Sequence, residues 1–238
     1  MTSNAVELSS APARRTSTPI LETGDVLSRD EFERRYHLMP NVKKAELIEG
    51  VVHMPSPVRW DYHAAPHAKL IGWLVQYATF TEGVETGDNC SIRLDMDNEP
   101  QPDAILIINP QAGGQVQLSP DDYIEGAPEL VAEIAASSVG IDLNRKLHVY
   151  RRNQVREYLV WRVLDEEFDW FVLRGSQFEK LTPDGEGRLC SEVFPGLWMN
   201  VPALLRGEML TVFQSLQQGI ASEAHQAFCE TISQKMKT

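Results

Sequence analysis

The sequence predicts a mixed α/β (α+β) domain, a central β-sheet flanked by helices, and three observations carry that prediction. Ala104-Ile105-Leu106-Ile107-Ile108 is continuously apolar, the pattern of a strand covered on both faces. Leu130 to Ala136 is a second such run, interrupted only by Glu133. Segments at about 61–81 and 141–153 read as helices, the first with Leu70, Leu74, Tyr77 and Ala78 at helical spacing. The order is then helix, hairpin, helix, several strands, helix, strands, which suits a mixed sheet.

Composition bounds the rest. At 238 residues, with 42% hydrophobic and 24% charged residues, the chain can bury a sizeable core without staples. Cys90, Cys190 and Cys229 are scattered and odd in number, which argues against a disulfide framework and fits a reducing cytoplasm. No run approaches the roughly 20 apolar residues of a membrane helix, so no membrane association is expected. Arg14-Arg15 is followed by no apolar stretch, so a secretory signal is not expected. The formal charge of −12 counts against broad, non-specific nucleic-acid binding. A local basic groove remains compatible with it, and acidic clusters can mark metal sites.

Along the chain, residues 1–24 read as a flexible tail, polar and poor in large apolar residues. Ser28-Arg29-Asp30-Glu31 is a capping-box pattern that opens a short helix, about 28–37. Ala45 to Met54 holds two β-type runs around Glu49-Gly50, a hairpin, ended by Pro55 and Pro57. After the 61–81 helix, Gly83 and Gly87 read as breaks. Ser91 to Asp95 alternates as a half-buried strand, and 109–128, rich in Gly, Pro, Gln and Asp, reads as a long loop. Beyond the 141–153 helix, strands are expected at 157–161, 169–174 and, more weakly, 177–181. Residues 194–206 read as an irregular connection with a helical turn. A single last helix, about 207–235, carries Leu210, Phe213, Leu216, Ile220 and Phe228 on one stripe. The expected organisation is a tail (1–24), a main domain (25–206) and a helical extension (207–238).

The chemistry is concentrated in three places. Asp103 follows Pro102 at the mouth of the first apolar strand, where a carboxylate costs desolvation energy unless it is paired or metal-bound. Glu133 sits inside the second apolar run and needs a partner. Two carboxylates on neighbouring strands, with water completing the shell, are what a hard cation such as Mg²⁺ requires. Asp142, Lys146 and Tyr150, at i, i+4 and i+8, share one helix face that can turn toward Glu133. A lysine there can orient a water or stabilise charge developing on a phosphate.

These residues, in this order, resemble the PD-(D/E)XK nuclease superfamily and, more closely, the Uma-two family of restriction-endonuclease-like proteins. The matching landmarks are Glu46-Leu47-Ile48-Glu49-Gly50, Gln101-Pro102-Asp103, Glu125 through Glu133, Lys146 to Tyr150, and Val155-Arg156-Glu157-Tyr158. The resemblance covers about 28–206. It implies a restriction-endonuclease-like core, a four-stranded mixed sheet flanked by helices, and divalent-metal cleavage of DNA phosphodiesters, with Mg²⁺ or Mn²⁺ as cofactor. Carried over by position, Asp103, Glu133 and the backbone carbonyl of Ile134 are the metal ligands, and Glu46 matches the acid contributed by the N-terminal part of the site, with Glu49 nearby as the alternative. The superfamily's lysine usually lies two residues after the second acid, where this chain has Ala135; Lys146 is the replacement, with Tyr150 fixing it or contacting phosphate. By analogy with enzymes that pair to cut both strands, a homodimer is expected.

Other candidates read more plainly. His63 and His67, spaced i, i+4, lack the glutamate of a zinc motif and read as surface or capping residues. Trp161, Trp170, Phe171 and Trp198 read as core or hairpin packing. Arg145 and Arg151-Arg152 form either a small phosphate-facing patch or a solvated helix face. Two other functions compete with endonuclease. One is a nuclease-fold protein that no longer cuts and serves as a nucleic-acid-binding or protein-interaction module, which the acidic charge and Ala135 favour. The other is hydrolysis of a different phosphate ester at the same site.

Overall fold

A computed structural model of the protein describes residues 19–55 and 57–237. The chain opens with α1 (Arg29–Tyr36), the hairpin β1 (Glu46–Ile48) and β2 (Val51–His53), and α2 (Ala65–Thr79), which is entered through a π-helical turn, Trp60–Ala64. Five short strands follow: β3 (Val84–Asp88), β4 (Ile92–Arg93), β5 (Ala104–Ile108), β6 (Gln117–Leu118) and β7 (Ile124–Glu125). Then come β8 (Leu130–Ala135), a second π-helical turn Ile141–Lys146 leading into α3 (Leu147–Arg152), and the meander β9 (Glu157–Arg162), β10 (Glu167–Arg174) and β11 (Gln177–Lys180). The last part holds β12 (Arg188–Cys190), β13 (Trp198–Asn200), α4 (Val201–Leu205), α5 (Met209–Ile220) and α6 (Glu223–Met236).

The central sheet has six strands in the order β11-β10-β9-β8-β5-β3. It is mixed: β8 and β9 run parallel and the other pairs antiparallel. The two apolar runs become its middle, β5 and β8, and both are buried along their whole length. Their side chains alternate between two cores. Ala104, Leu106 and Ile108 join Ala132 and Ile134 against Trp73 and Tyr77 of α2. Ile105, Ile107, Val131 and Ala135 face the other way, toward Tyr150 of α3 and Tyr158. Trp73 meets Trp170 edge to face at 5.8 Å and donates to the Trp198 carbonyl at 3.1 Å, so α2 is fixed to β10 and β13 together. Trp161 and Trp170 are buried in this core, and Trp198 is half-buried beneath the Arg188 guanidinium.

The mixed α/β class and the flanked central sheet are as the sequence predicts, but the sheet is wider than the four strands the resemblance implies. One addition is β3, which lies where glycines read as breaks. Gly87 stands inside this strand because a Cβ there would come within 2.9 Å of Ile105 Cγ1 on the neighbouring strand. The expected loop 109–128 contains β6 and β7, which form a small separate sheet with β4, and the expected strand 91–95 shrinks to Ile92–Arg93 within it. The short strands β12 and β13, a separate pair, also went unread.

The ends of the chain are more integrated than the sequence suggests. Of the expected tail, residues 1–18 lie outside the described residues, but Leu21 is buried with Phe32 and Leu47, and the Gly24 amide donates to the Val52 carbonyl. The expected single helix 207–235 is two helices, broken before Ser222, whose hydroxyl caps α6. They do not stand apart as an extension: Val212, Leu216 and Ile232 belong to the main core. Gly219 packs so closely on Gly196 that a Cβ would fall 2.2 Å from the Gly196 carbonyl oxygen. Among the described residues no helix is long and apolar enough to cross a membrane.

One buried acid joins the sheet to the β12–β13 segment. Glu157, fully buried, accepts from Ser191 Oγ, the Glu192 and Val193 amides and Trp170 Nε1, at 2.7–3.2 Å. Burial nevertheless pushes its pKa up to about 7. Replacing Glu157 with Ala strands those donors, and the expected loss is about 3 kcal/mol, read from the urea midpoint.

Candidate active site

Asp103 and Glu133 come from adjacent strands at one end of the sheet. The β5–β8 register pairs Ala104 with Ala132, so its next step sets Asp103 opposite Glu133. By the strand alternation both side chains leave the sheet on the Tyr150 side. Both residues are 3% exposed. Each is held by different partners.

Glu133 lies in the deeper half. Its Oε1 accepts from Lys146 Nζ at 2.9 Å and from Tyr150 OH at 3.0 Å. Lys146 Nζ also donates to Glu46 Oε1 at 2.8 Å, and Asp142 Oδ1 lies 3.8 Å away. The i, i+4, i+8 face of Asp142, Lys146 and Tyr150 therefore turns inward although its first part is a π-helical turn. Glu46 is positioned by its strand and by the Gln101 amide, which donates to its Oε1 at 2.8 Å. Glu49, in the β1–β2 turn with φ of 52°, is exposed and plays no part in this cluster.

Burial drives the Glu133 pKa upward, with Asp142, Asp103 and Glu46 adding and Lys146 opposing. Burial likewise raises Asp142. It works against the Lys146 ammonium, but Glu133, Glu46 and Asp142 outweigh it and hold Lys146 well above the ordinary lysine value. Tyr150 stays a phenol and hence a donor, because burial and the Glu133 charge raise it well above its usual value. The deep half is thus a charged lysine ringed by more acid than it can balance.

Asp103 lies in the shallower half. Its Oδ2 accepts from the Ile134 amide at 2.8 Å, while Oδ1 faces Lys44 Nζ and His63 Nε2, each at 3.2 Å. Burial alone would raise this carboxyl, but the His63 hydrogen bond and the Lys44 charge, with the Ile134 amide, hold it well below the ordinary range. Lys44 is in turn raised by Asp103, Glu46 and Glu133 against the opposing effect of burial. His67 Nε2 lies 2.8 Å from the Asp103 carbonyl oxygen and 3.1 Å from Asp88 Oδ1.

Several readings change here. His63 and His67 do more than cap or face solvent: His63, in the π-helical turn, and His67, in the first turn of α2, both reach Asp103. Lys44 went unnoticed, although it lies two residues before Glu46, the spacing that puts two side chains on one face of an extended strand. Ile134 meets Asp103 through its amide, whereas the resemblance assigns its carbonyl to a metal. Ala135, at the superfamily's usual lysine position, points into the apolar core with Val131. Arg151 is engaged by Ser176 and Gln177, and Arg152 lies 3.4 Å from Asp95, while Arg145 and Arg152 are exposed.

Comparison with known proteins gives the family. A model of the Uma2 family, described as "Putative restriction endonuclease", matches residues 29–202. The chain belongs to this family. A solved structure from Anabaena variabilis, titled a "putative nuclease belonging to DUF820", superposes with a TM-score of 0.52 at 14% identity, covering 77% of this chain and 97% of that one. At that identity the likeness concerns the fold alone. No curated protein matches the chain.

Among the described residues no three His, Cys, Asp or Glu side chains converge into a ready-made cage. Mg²⁺ does not need one, since it is commonly held by one or two carboxylates with water completing its octahedron. The donor chemistry is suitable: Glu46, Asp103, Glu133 and Asp142 supply hard oxygens against two ammonium groups, Lys44 and Lys146. The buried Asp142 Oδ2 has no hydrogen-bond partner. The cluster therefore fits a cation by charge and by ligand type.

Lys146→Met is expected to cost about 3–5 kcal/mol at neutral pH, because it leaves buried acids without their counter-ion. The deficit should shrink on acidification. Without the lysine the Glu133 pKa rises further, so the folded state binds more protons than the unfolded one as pH falls toward the ordinary carboxylate range, and stability recovers. Denaturant melts of both proteins across that window check the sign.

Proposed function

We propose that the protein is a divalent-metal-dependent endonuclease that hydrolyses DNA phosphodiester bonds, working in the cytoplasm. The observation that carries this reading is the pairing of Asp103 and Glu133 at one end of the sheet, beside Lys146 and Glu46, in a chain of the Uma2 family. Asp103 and Glu133, with the Ile134 carbonyl, would hold Mg²⁺ or Mn²⁺. The bound cation supplies Lewis acidity at the scissile phosphate.

The chain's own groups supply the rest. Asp103, kept ionised by Lys44 and His63, presents a fixed charge at the open side of the site. Lys146 is an always-charged donor that can orient a water for in-line attack and steady charge developing on the phosphate. Tyr150 fixes the Glu133 carboxylate, and Glu46 holds the other side of the ammonium.

One observation favours a second reading. Lys146 is committed to Glu46 and Glu133, and Lys44 to Asp103, so the cluster is already paired as a structural network. A nuclease-fold module that binds nucleic acid or protein without cutting would look like this. Two measurements separate the readings. The wild-type chain should bind Mg²⁺ or Mn²⁺ in calorimetry and nick plasmid DNA, whereas Asp103→Asn and Lys146→Ala, with folding verified, should lose cleavage by at least about a hundredfold. Full cleavage in either variant ends the endonuclease assignment of that residue, and absence of metal binding by the wild type favours the non-cutting module.

A further inference from the structure

We propose that His63 is a nitrogen ligand of the cation held by Asp103, and that it makes the site prefer Mn²⁺ to Mg²⁺. The inference rests on the metal-dependent reading above and deepens it.

Asp103 Oδ2 accepts from the Ile134 amide, and Oδ1 is the oxygen turned toward the more exposed side chains, so a cation arriving from solvent meets Oδ1 first. Two side chains stand at that oxygen, Lys44 and His63. An ammonium has no lone pair to give and must withdraw or stay as a neighbour, whereas an imidazole nitrogen is a ligand. His63 Nε2 already points at the oxygen from 3.2 Å. A cation entering there need only come between two groups that face one another.

The ring is free to do this. His63 Nδ1 is buried without a hydrogen-bond partner, so nothing on that side fixes which nitrogen carries the proton. Nε2 can present its lone pair without breaking a bond elsewhere. His67 differs, because its Nε2 lies against the Asp103 carbonyl oxygen, which accepts only from an N–H. His67 is therefore a positioning residue for the strand mouth. Access points the same way. The side chains of Lys146 and Glu133 are 5% and 4% exposed, those of His63 and Lys44 25% and 21%. A cation arriving from solvent meets the His63 side first.

Nitrogen at this position sets the preference. Mg²⁺ demands an octahedron of oxygens, while imidazole suits transition metals, among which Mn²⁺ also accepts carboxylate and water. The test uses the full chain loaded with Mn²⁺. Pulsed electron paramagnetic resonance should show the coupling of a directly bound imidazole ¹⁴N in the wild type, lost in His63→Ala. Calorimetry should show His63→Ala weakening Mn²⁺ at least about tenfold, since even indirect supports of a ligand are worth that much, and Mg²⁺ by less. His63→Asp, which keeps a ligand but makes it oxygen, should bind Mn²⁺ without the nitrogen coupling and move the preference toward Mg²⁺. Mn²⁺ bound by the wild type with no ¹⁴N coupling overturns the His63 assignment and leaves the metal-dependent reading intact. A wild-type chain that binds neither ion overturns both.

Discussion

The rest of the site depends on one buried charge. The Lys146 ammonium is out of water and held between Glu46 and Glu133, with Asp142 behind it. A lone ammonium at that depth would give up its proton rather than remain ionised. The three acids reverse that outcome, and in doing so tie together three parts of the chain: the N-terminal hairpin, the middle of the sheet and the turn that opens α3. The hairpin's apolar residues pack with α1 and the N-terminal segment, and it also reaches the strand mouth through Lys44 at Asp103 and a bridge between Leu47 and Glu99. The ion pair sets where Glu46 stands, and through the Gln101 amide it also sets the strand mouth that presents Asp103.

The balance of charge has a consequence for order of binding. The cluster holds more carboxylates than ammonium groups, within a protein whose formal charge is −12. A phosphodiester approaching it is repelled while the surplus stands. A cation on Asp103 removes that surplus where the phosphate would arrive. On the proposed reading the cation is thus both a participant in the chemistry and the condition for substrate approach.

What could be read in advance follows from how local each signal is. Glu133 was legible because an acid inside an apolar strand announces a partner, and Asp103 because a carboxylate at a strand mouth does the same. That the two strands neighbour each other was expected, but their register was not legible, because runs apolar on both faces do not distinguish one register from the next. Lys146 was not legible from its own surroundings, where a helical lysine reads as solvated; only its place in the order of family landmarks singled it out. His63 was misread because its partner lies on another element: sequence spacing shows two histidines on one helix face but not that the helix starts at the mouth of β5. The strand β3 was missed for a different reason. Gly87 there serves to let Ile105 come close, and a glycine chosen for space looks the same in a sequence as one chosen for a turn.

The pairing of Lys146 with Glu46 spans 100 residues, and that of Lys146 with Glu133 only 13. During synthesis the two acids therefore wait for very different times. Glu133 can find its lysine almost as soon as the following turn leaves the ribosome. Glu46 must stay hydrated, with its hairpin undocked or open, until residue 146 has been made and folded back. Contacts of such separation are slow to close and are formed late. A nascent or truncated chain therefore carries acids and strands without an assembled cluster, which is complete only with the docking that buries the ammonium.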